Sequence, residues 1–397
     1  MVQTTTQWNT DERAVAEGML TASPTVLELT LLIPCLNEAE TIQRVVTKAV
    51  DLLRSEGLAG EVLVADNGST DGSQGLAAEA GARVIHMPVR GYGAALIAGI
   101  HAAYGRYIIM GDADDSYDFS AVMPFINKLR EGCDLVMGSR MKGRILPGAM
   151  PWLHRWVGNP LLTAIGNLLF KTHISDYHCG LRGFNAETAR ALQPRTTGME
   201  FATELIAKMA LNRRTITEIP ITYYPDGRSR RPHLRTWRDG WRHLKFMLLL
   251  SPTWVFIQPG AVLFLLGLAG LTWSLLSGGS AGMTFNSQLA AQISFSILTL
   301  IGSQILIFGV LARLYANKMG LLPSTRFWHW LEDALSVDTG LVVGGAVSLL
   351  GVVGLIRALQ FSDLSGLLIG LLVLVFGTKQ VFVSFVVSLI RIKESFE

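Results

Sequence analysis

Four long apolar stretches, at about 253–277, 290–315, 340–360 and 364–390, limit what this chain can fold into more than any other feature. Each reaches the ~20 residues that a helix needs to cross the hydrocarbon core of a bilayer. Packed as a soluble core, four such runs would leave no polar face for water. A four-helix α transmembrane domain is therefore predicted over 252–397. Charge divides the 397-residue chain at the same place: 27 of the 34 Lys and Arg residues and 25 of the 31 Asp and Glu residues precede position 252. The overall charged fraction is 16%, against about 25% in a soluble domain, and it averages two unlike parts. Cys35, Cys133 and Cys179 have no CxxC spacing, which argues against a disulfide scaffold or a zinc cluster and suits a reducing compartment.

Loop charge sets the orientation. The connection 278–289 has no Lys or Arg, whereas 313–338 carries Arg313, Lys318 and Arg326 and the C-terminal tail carries Arg391 and Lys393. The positive-inside rule places 313–338, the water-facing domain and both termini on the cytoplasmic side. Residues 1–25 are polar, lack an apolar signal-peptide core and read as a flexible tail. The segment 228–251 holds Arg228, Arg230, Arg231, Arg235, Arg238, Arg242 and Lys245 against one acid, with Trp237, Trp241, Leu244, Met247 and Leu248 at helical spacing. It reads as a basic amphipathic interfacial helix that holds the preceding domain against anionic lipid. Within the fourth stretch Lys379 is an ionisable residue at bilayer depth, either paired in the helix bundle or placed near a lipid path. Gly344, Gly345, Gly351, Gly354, Gly366 and Gly370 permit close helix packing, within one chain or between copies in a homo-oligomer.

The region 26–227 alternates strand-like and helix-like segments. Strands are predicted at 26–33, 61–66, 82–87, 106–112 and 133–139, with helices over 38–53, 73–80, 91–104 and about 120–130. This alternation implies an α/β domain with a Rossmann-like, mainly parallel sheet. Ligands of such sheets sit at the carboxyl ends of the strands, where Pro34–Glu38, Asp66–Gly72 and Asp112–Asp115 fall. Asp112, Asp114 and Asp115 are carboxylates that repel one another unless a cation neutralises them. An all-oxygen donor set favours Mg²⁺ or Mn²⁺ bridged to a phosphate. Gly91 and Gly93 precede a helix, as in a phosphate-binding turn, but Leu96 breaks the dinucleotide fingerprint and no P-loop is present.

Six motifs in order carry a family resemblance: IPCLNEAETI (33–42), VADNGSTDGS (64–73), GYGAALIAGI (91–100), GDADDSYDF (111–119), MGSR (137–140) and DYHCGLRGFN (176–185). Over about 28–250 the chain resembles the family 2 inverting glycosyltransferases of GT-A fold, in particular the polyprenyl-phosphate glycosyltransferases of the dolichyl-phosphate glucose and mannose synthase type. The resemblance implies that Pro34, Asn37, Glu38, Asp66, Gly68 and Asp112 contact the nucleotide. It implies that Asp112 and Asp114, with Ser116 where some relatives have Gln, surround the metal, Mg²⁺ or Mn²⁺. Arg140, Arg155 and Arg228 are implied as acceptor-phosphate ligands, Asp176 as a catalytic-site residue, and Arg182, Glu200 and Glu204 as sugar contacts.

The implied reaction moves a hexose from a nucleotide-sugar, UDP-glucose first and GDP-mannose second, to a membrane polyprenyl phosphate. A lipid monophosphate is largely dianionic at neutral pH and needs cationic positioning more than a strong general base. Three rival readings are weighed. A polysaccharide synthase normally carries Q-x-x-R-W, but Trp152 stands where Gln is needed before Arg155-Trp156. Transfer to a protein or to a small lipid such as diacylglycerol is the second. A non-enzymatic membrane scaffold would not need the intact Asp112-Ala113-Asp114. No nucleic-acid partner is expected.

Overall fold

The computed structural model describes residues 27–229, 236–276 and 284–392; the expected tail, 1–25, lies outside them. By internal contacts the chain divides into two units, one mainly before Gly240 and one mainly after it.

The first unit is built on a seven-stranded sheet with order β3-β2-β1-β4-β6-β5-β7. Its strands are β1 (Leu27–Cys35), β2 (Gly60–Asp66), β3 (Arg83–His86), β4 (Gly105–Met110), β5 (Leu135–Ile145), β6 (Arg182–Asn185) and β7 (Ile216–Tyr223). β1 pairs in parallel with both β2 and β4. It is covered on both faces, which is why LELTLLIPC reads as a continuous apolar run rather than an alternating one. Helix α1 (Ile42–Ser55) buries Ile42, Val45, Val46, Ala49, Leu52 and Leu53, one stripe of a 3.6-residue period. The other helices of this region are α2 (Ser73–Glu79), α3 (Tyr92–Ala102), α4 (Met123–Arg130), α5 (Asn159–Phe170), α6 (Ala186–Ala191) and α7 (Phe201–Leu211). Gly99 of α3 lies so close to the Leu32 side chain that a Cβ there would collide with it.

Two strands have no counterpart in the sequence reading. β6 runs antiparallel between β4 and β5, so the sheet is mixed, though mainly parallel. Its four residues, RGFN, carry no strand periodicity of their own. β7 contains Pro220 and sits at the sheet edge, where a missing N–H is tolerated.

Register positions the site. Cys35 pairs with Asp66, Leu32 with Met110, and Gly111 N donates to Leu32 O. The ends of β1, β2 and β4 therefore open on one edge of the sheet.

Helix α8 spans Thr236–Leu249, with Trp237 and Trp241 exposed and Asp239, His243 and Met247 buried. Arg230, Arg231 and Arg235 lie outside the described residues. In the second unit, α9 (Gln258–Leu276), α10 (Phe285–Lys318), α12 (Val337–Gln360) and α13 (Leu364–Ile392) provide four helices long and apolar enough to cross a membrane. Together with the turn before α9, the candidate spans are Thr253–Leu276, Phe285–Lys318, Val337–Gln360 and Leu364–Arg391. Glycines bring them together. A Cβ at Gly302 would strike the Phe264 backbone, and one at Gly351 the Leu374 backbone. Gly344 and Gly370 likewise pack between α12 and α13, whereas Gly345 meets nothing. Between the second and third spans the amphipathic α11 (Arg326–Ala334) exposes Phe327 and Trp330, as an interfacial belt requires.

Candidate active site

The turns after β1 and β2 are tied together by side chains. Asn37 adopts φ 57°, and helix α1 starts at Ile42, not at Glu38. Asn37 Oδ1 accepts from Thr70 N at 2.8 Å, while Ser69 Oγ and Ser73 Oγ accept from the main-chain N–H groups of Asn37 and Glu38, both at 2.8 Å. Asp66, fully buried at the end of β2, accepts from Gly68 N at 3.0 Å and from Gln74 Nε2 at 2.6 Å. Burial raises its pKa, but hydrogen bonds from Ser69, Gln74 and the Gly68 main chain outweigh this and hold it below the usual value. Gly68 has φ 90°, which a side chain rarely adopts. Pro34 is the penultimate residue of β1.

After β4 the chain presents its carboxylates, and they separate. Asp112 Oδ1 accepts from the Tyr92 hydroxyl at 3.0 Å. Burial and then the charge of Asp114 push its carboxyl up to about 7, against the Tyr92 hydrogen bond and the fields of Arg228 and Arg140. Asp114 Oδ1 accepts from the main-chain N–H of Ser116 at 3.1 Å and from its hydroxyl at 2.5 Å. Ser116 is thus spent on orienting Asp114. Asp115 is not part of the pair, contrary to the three-carboxylate reading. With φ 63° it turns toward α1 and binds Arg44 at 2.6 Å and Lys48 at 2.8 Å.

Two arginines flank the pair. Arg228, in the loop after β7, donates to Asp114 Oδ2 at 2.6 Å and to Glu38 Oε1 at 3.0 Å. It stands in the loop before α8, which starts at Thr236, and so lies outside the amphipathic helix predicted over 228–251. Arg140, on β5, makes a buried two-point contact with Asp176, Nε to Oδ2 at 2.7 Å and Nη2 to Oδ1 at 2.8 Å. Its guanidinium also lies 5.1 Å from the Tyr223 ring centre. Arg155 stands instead over the Trp156 ring at 5.2 Å, in the π-helical segment His154–Gly158 that leads into α5, beside the exposed Trp152 and Trp156.

The geometry corrects the expectations for Arg182, Glu204 and the Gly91–Gly93 turn. Arg182 is fully buried and donates to the carbonyls of Cys179, Ala202 and Tyr177, so it pins main chain and is not open to a sugar. Glu204 is likewise buried, ion-paired with Lys208 at 2.9 Å and accepting from Arg195 N, Thr196 N and the Thr196 hydroxyl. Glu200 lies just before α7, where its carbonyl accepts from the first-turn N–H groups of Thr203 and Glu204. Gly91 and Gly93 do not cradle a phosphate. The Gly91 N–H is taken by Asn67 Oδ1 and the Ala94 N–H by the Thr197 carbonyl, and a Cβ at either glycine would collide with the 196–197 backbone.

Residues 30–192 match the family described as glycosyl transferase family 2, and residues 310–391 match the glycosyltransferase family 2 C-terminal transmembrane region. The chain is 37% identical over 326 residues to the low-salt glycan biosynthesis hexosyltransferase Agl6 of Haloferax volcanii, covering 81% of this chain and 77% of that protein. The chain belongs to glycosyltransferase family 2. It is also 30% identical over 199 residues to a dolichyl-phosphate hexose transferase of the same organism, covering 49% of this chain and 82% of that protein. Among solved structures, the chain also matches Mycobacterium tuberculosis glucosyl-3-phosphoglycerate synthase, solved with Mn²⁺, UDP and glucosyl-3-phosphoglycerate. That match has 23% identity and a TM-score of 0.46, and covers 62% of this chain and 85% of that one.

This family 2 glycosyltransferase is an enzyme and an integral membrane protein. Its acidic pair fits a hard divalent cation. Asp112 and Asp114 offer only carboxylate oxygens, and their mutual repulsion is the kind that such a cation relieves. No cluster of three or more His, Cys, Asp or Glu side chains suited to a metal occurs among the described residues. Several supporting residues escaped the sequence reading. Tyr92 and Tyr223 reach the site from α3 and β7. Glu218 of β7 accepts from Ser175 N at 2.6 Å and from Asp176 N at 3.3 Å, fixing the turn that carries Asp176. Only the tertiary fold brings them near; Tyr92 falls inside the GYGAALIAGI motif, whereas no local motif marks Tyr223 or Glu218.

Proposed function

We propose that this enzyme transfers a hexose from a nucleotide-sugar to a polyprenyl phosphate in the membrane, with inversion at the sugar carbon. UDP-glucose is the first choice of donor and GDP-mannose the second. The observation that carries the reading is the carboxylate pair Asp112 and Asp114 at the open sheet edge, in the fields of Arg140 and Arg228, in a chain that also holds four membrane helices. The names of the relatives, a hexosyltransferase and a dolichyl-phosphate hexose transferase, support the same class.

Asp66 with its turn, and the Pro34–Glu38 segment, would receive the nucleotide. Asp112 and Asp114 would hold Mg²⁺ or Mn²⁺, which supplies positive charge where the departing diphosphate gathers negative charge. Arg228 now neutralises Asp114 and Glu38, and must leave Asp114 for that carboxylate to bind a cation. Freed from Asp114, its planar donors suit the acceptor phosphate. Arg140 is held in one orientation by Asp176 and supplies a second fixed positive charge. The acceptor dianion attacks without a strong general base. Loop charge places this chemistry on the cytoplasmic side, and the exposed tryptophans of α8 suit a membrane surface.

The test is a transfer assay with purified protein in nanodiscs, polyprenyl phosphate, Mn²⁺ or Mg²⁺, and labelled UDP- and GDP-sugars. One labelled lipid is expected, reduced by about 10²-fold or more in Asp114→Asn. Donor hydrolysis with no labelled lipid would overturn the acceptor assignment.

A further inference from the structure

Strand β5 is irregular where Arg140 sits. Ser139 pairs with Pro220 of β7 and Arg144 with Thr222, so residues 140–143 stand opposite Ile221 alone. Extra residues of this kind bend a strand and re-aim its side chains. A Cβ on Gly143 would strike the Ile221 backbone, so the bulge lies tight against β7. At such a bend Arg140 takes its direction from its partners. The buried Asp176 carboxylate accepts from Arg140 Nε and Nη2, and also from the main-chain N–H groups of Arg140 and His178, both at 3.2 Å. Whatever places Asp176 therefore places the guanidinium.

One oxygen of β7 ties the Asp176 turn down. Glu218 Oε1 accepts from Ser175 N at 2.6 Å, from Ser175 Oγ at 2.9 Å and from Asp176 N at 3.3 Å. A carboxylate oxygen only accepts, and this orders the neighbouring hydroxyls. Lys142 N donates to Ser139 Oγ at 3.0 Å, Ser139 Oγ to Ser175 Oγ at 2.6 Å, and Ser175 Oγ to Glu218. The bulge of β5 and the Asp176 turn thus end on the same atom. The other oxygen, Oε2, meets Lys142 Nζ at 2.7 Å. The Lys142 side chain is 53% exposed and that of Glu218 5%, and an ion pair with one member in water contributes little.

We infer that Glu218 is a positioning residue. Through the Ser175–Asp176 turn its Oε1 sets the direction of the Arg140 guanidinium, and so how tightly the acceptor phosphate is held. Glu218 does this by accepting hydrogen bonds and not by its charge. The inference rests on the reading of Arg140 as a ligand of that phosphate.

Two variants separate acceptor from charge. Glu218→Asp keeps the charge and withdraws the oxygens by one methylene, whereas Glu218→Gln removes the charge and keeps an acceptor oxygen in place. Full-length protein in nanodiscs is assayed for KM of polyprenyl phosphate and of the nucleotide-sugar. It is separately treated with phenylglyoxal, and adducts on Arg140 and Arg182 are quantified by mass spectrometry. In Glu218→Asp, KM for polyprenyl phosphate should rise about tenfold, as loss of one charge-assisted hydrogen bond implies, with KM for the donor unchanged. Arg140 should label faster, while Arg182, fully buried in the same unit, stays protected. Glu218→Gln should restore both readouts, and Lys142→Met should match wild type. An acceptor KM and Arg140 labelling unchanged in Glu218→Asp would overturn the proposal. So would an equal defect in Glu218→Gln and Lys142→Met, or labelling of Arg140 and Arg182 together, which marks general loosening. The labelling does not use the reaction. A wild type that transfers no sugar to polyprenyl phosphate would sink the acceptor reading, and the protection of Arg140 would still decide the role of Glu218.

Discussion

A few side chains of the candidate site compete for one another. Asp114 is claimed by Ser116 on one oxygen and by Arg228 on the other, while Asp112 is protected by Tyr92 and pushed up to about 7 by burial and by Asp114. A raised carboxyl holds its proton below that value, and a cation must displace it. Mn²⁺ affinity, measured by calorimetry, should therefore weaken by up to about tenfold per pH unit below 7 and level off above it. An affinity that does not change with pH in that range would remove Asp112 from the cation site. The Arg140–Asp176 pair makes a different demand. Both groups are almost wholly buried, with side-chain exposures of 8% and 0%, so removing one leaves the other charge unpaired. Asp176→Asn should cost about 3–5 kcal/mol, seen as a lower thermal midpoint. Arg140→Lys keeps the charge but loses the two-point contact, and its turnover should fall more than its stability does.

At the scale of elements, close approach decides what the glycines do. The start of α3 packs against the 196–198 backbone, and a Cβ on Gly93 would meet the Thr196 and Gly198 carbonyls. Gly93→Ala should destabilise the first unit by about 1–3 kcal/mol through overpacking. Gly75 in α2 meets nothing within 4 Å, so Gly75→Ala should stabilise by about 0.5–1 kcal/mol. Thermal unfolding of both variants checks the pair, and a similar response from the two would mean that packing at α3 is looser than described. The elements also divide by how visible they are in sequence. β1, β2 and β4 and helix α1 are legible because burial on both faces, or on one stripe, writes itself as an apolar pattern. β6 is not, because four residues between two partners need no pattern. α11 is short and carries Arg326 and two acids, so it reads as a loop until its aromatic face is seen.

For the whole molecule, charge asymmetry and helix length make a topological prediction. With Cys133→Ser as background, since Cys35 and Cys179 are buried, cysteines are placed at Ser324 and Ser362. Ser362→Cys, between α12 and α13, should react with an impermeant thiol reagent in intact cells. Ser324→Cys, between α10 and α11, should react only after permeabilisation. The reverse pattern would invert the orientation read from loop charge.

What the sequence by itself determined is whatever rests on local pattern: four bilayer-length apolar runs, the α/β alternation, and acidic and glycine-rich segments at strand ends. Periodicity and composition encode burial, and burial is what they report. The tertiary structure alone decided which of those residues face one another. Asp115 left the acidic cluster because Arg44 and Lys48 on α1 lie within ion-pair distance. Arg182 and Glu204 turned inward because buried carbonyls and main-chain N–H groups needed partners. Arg228 joined Glu38 and Asp114 across 190 and 114 residues of sequence. A partner that far along the chain leaves no trace in the residues beside it.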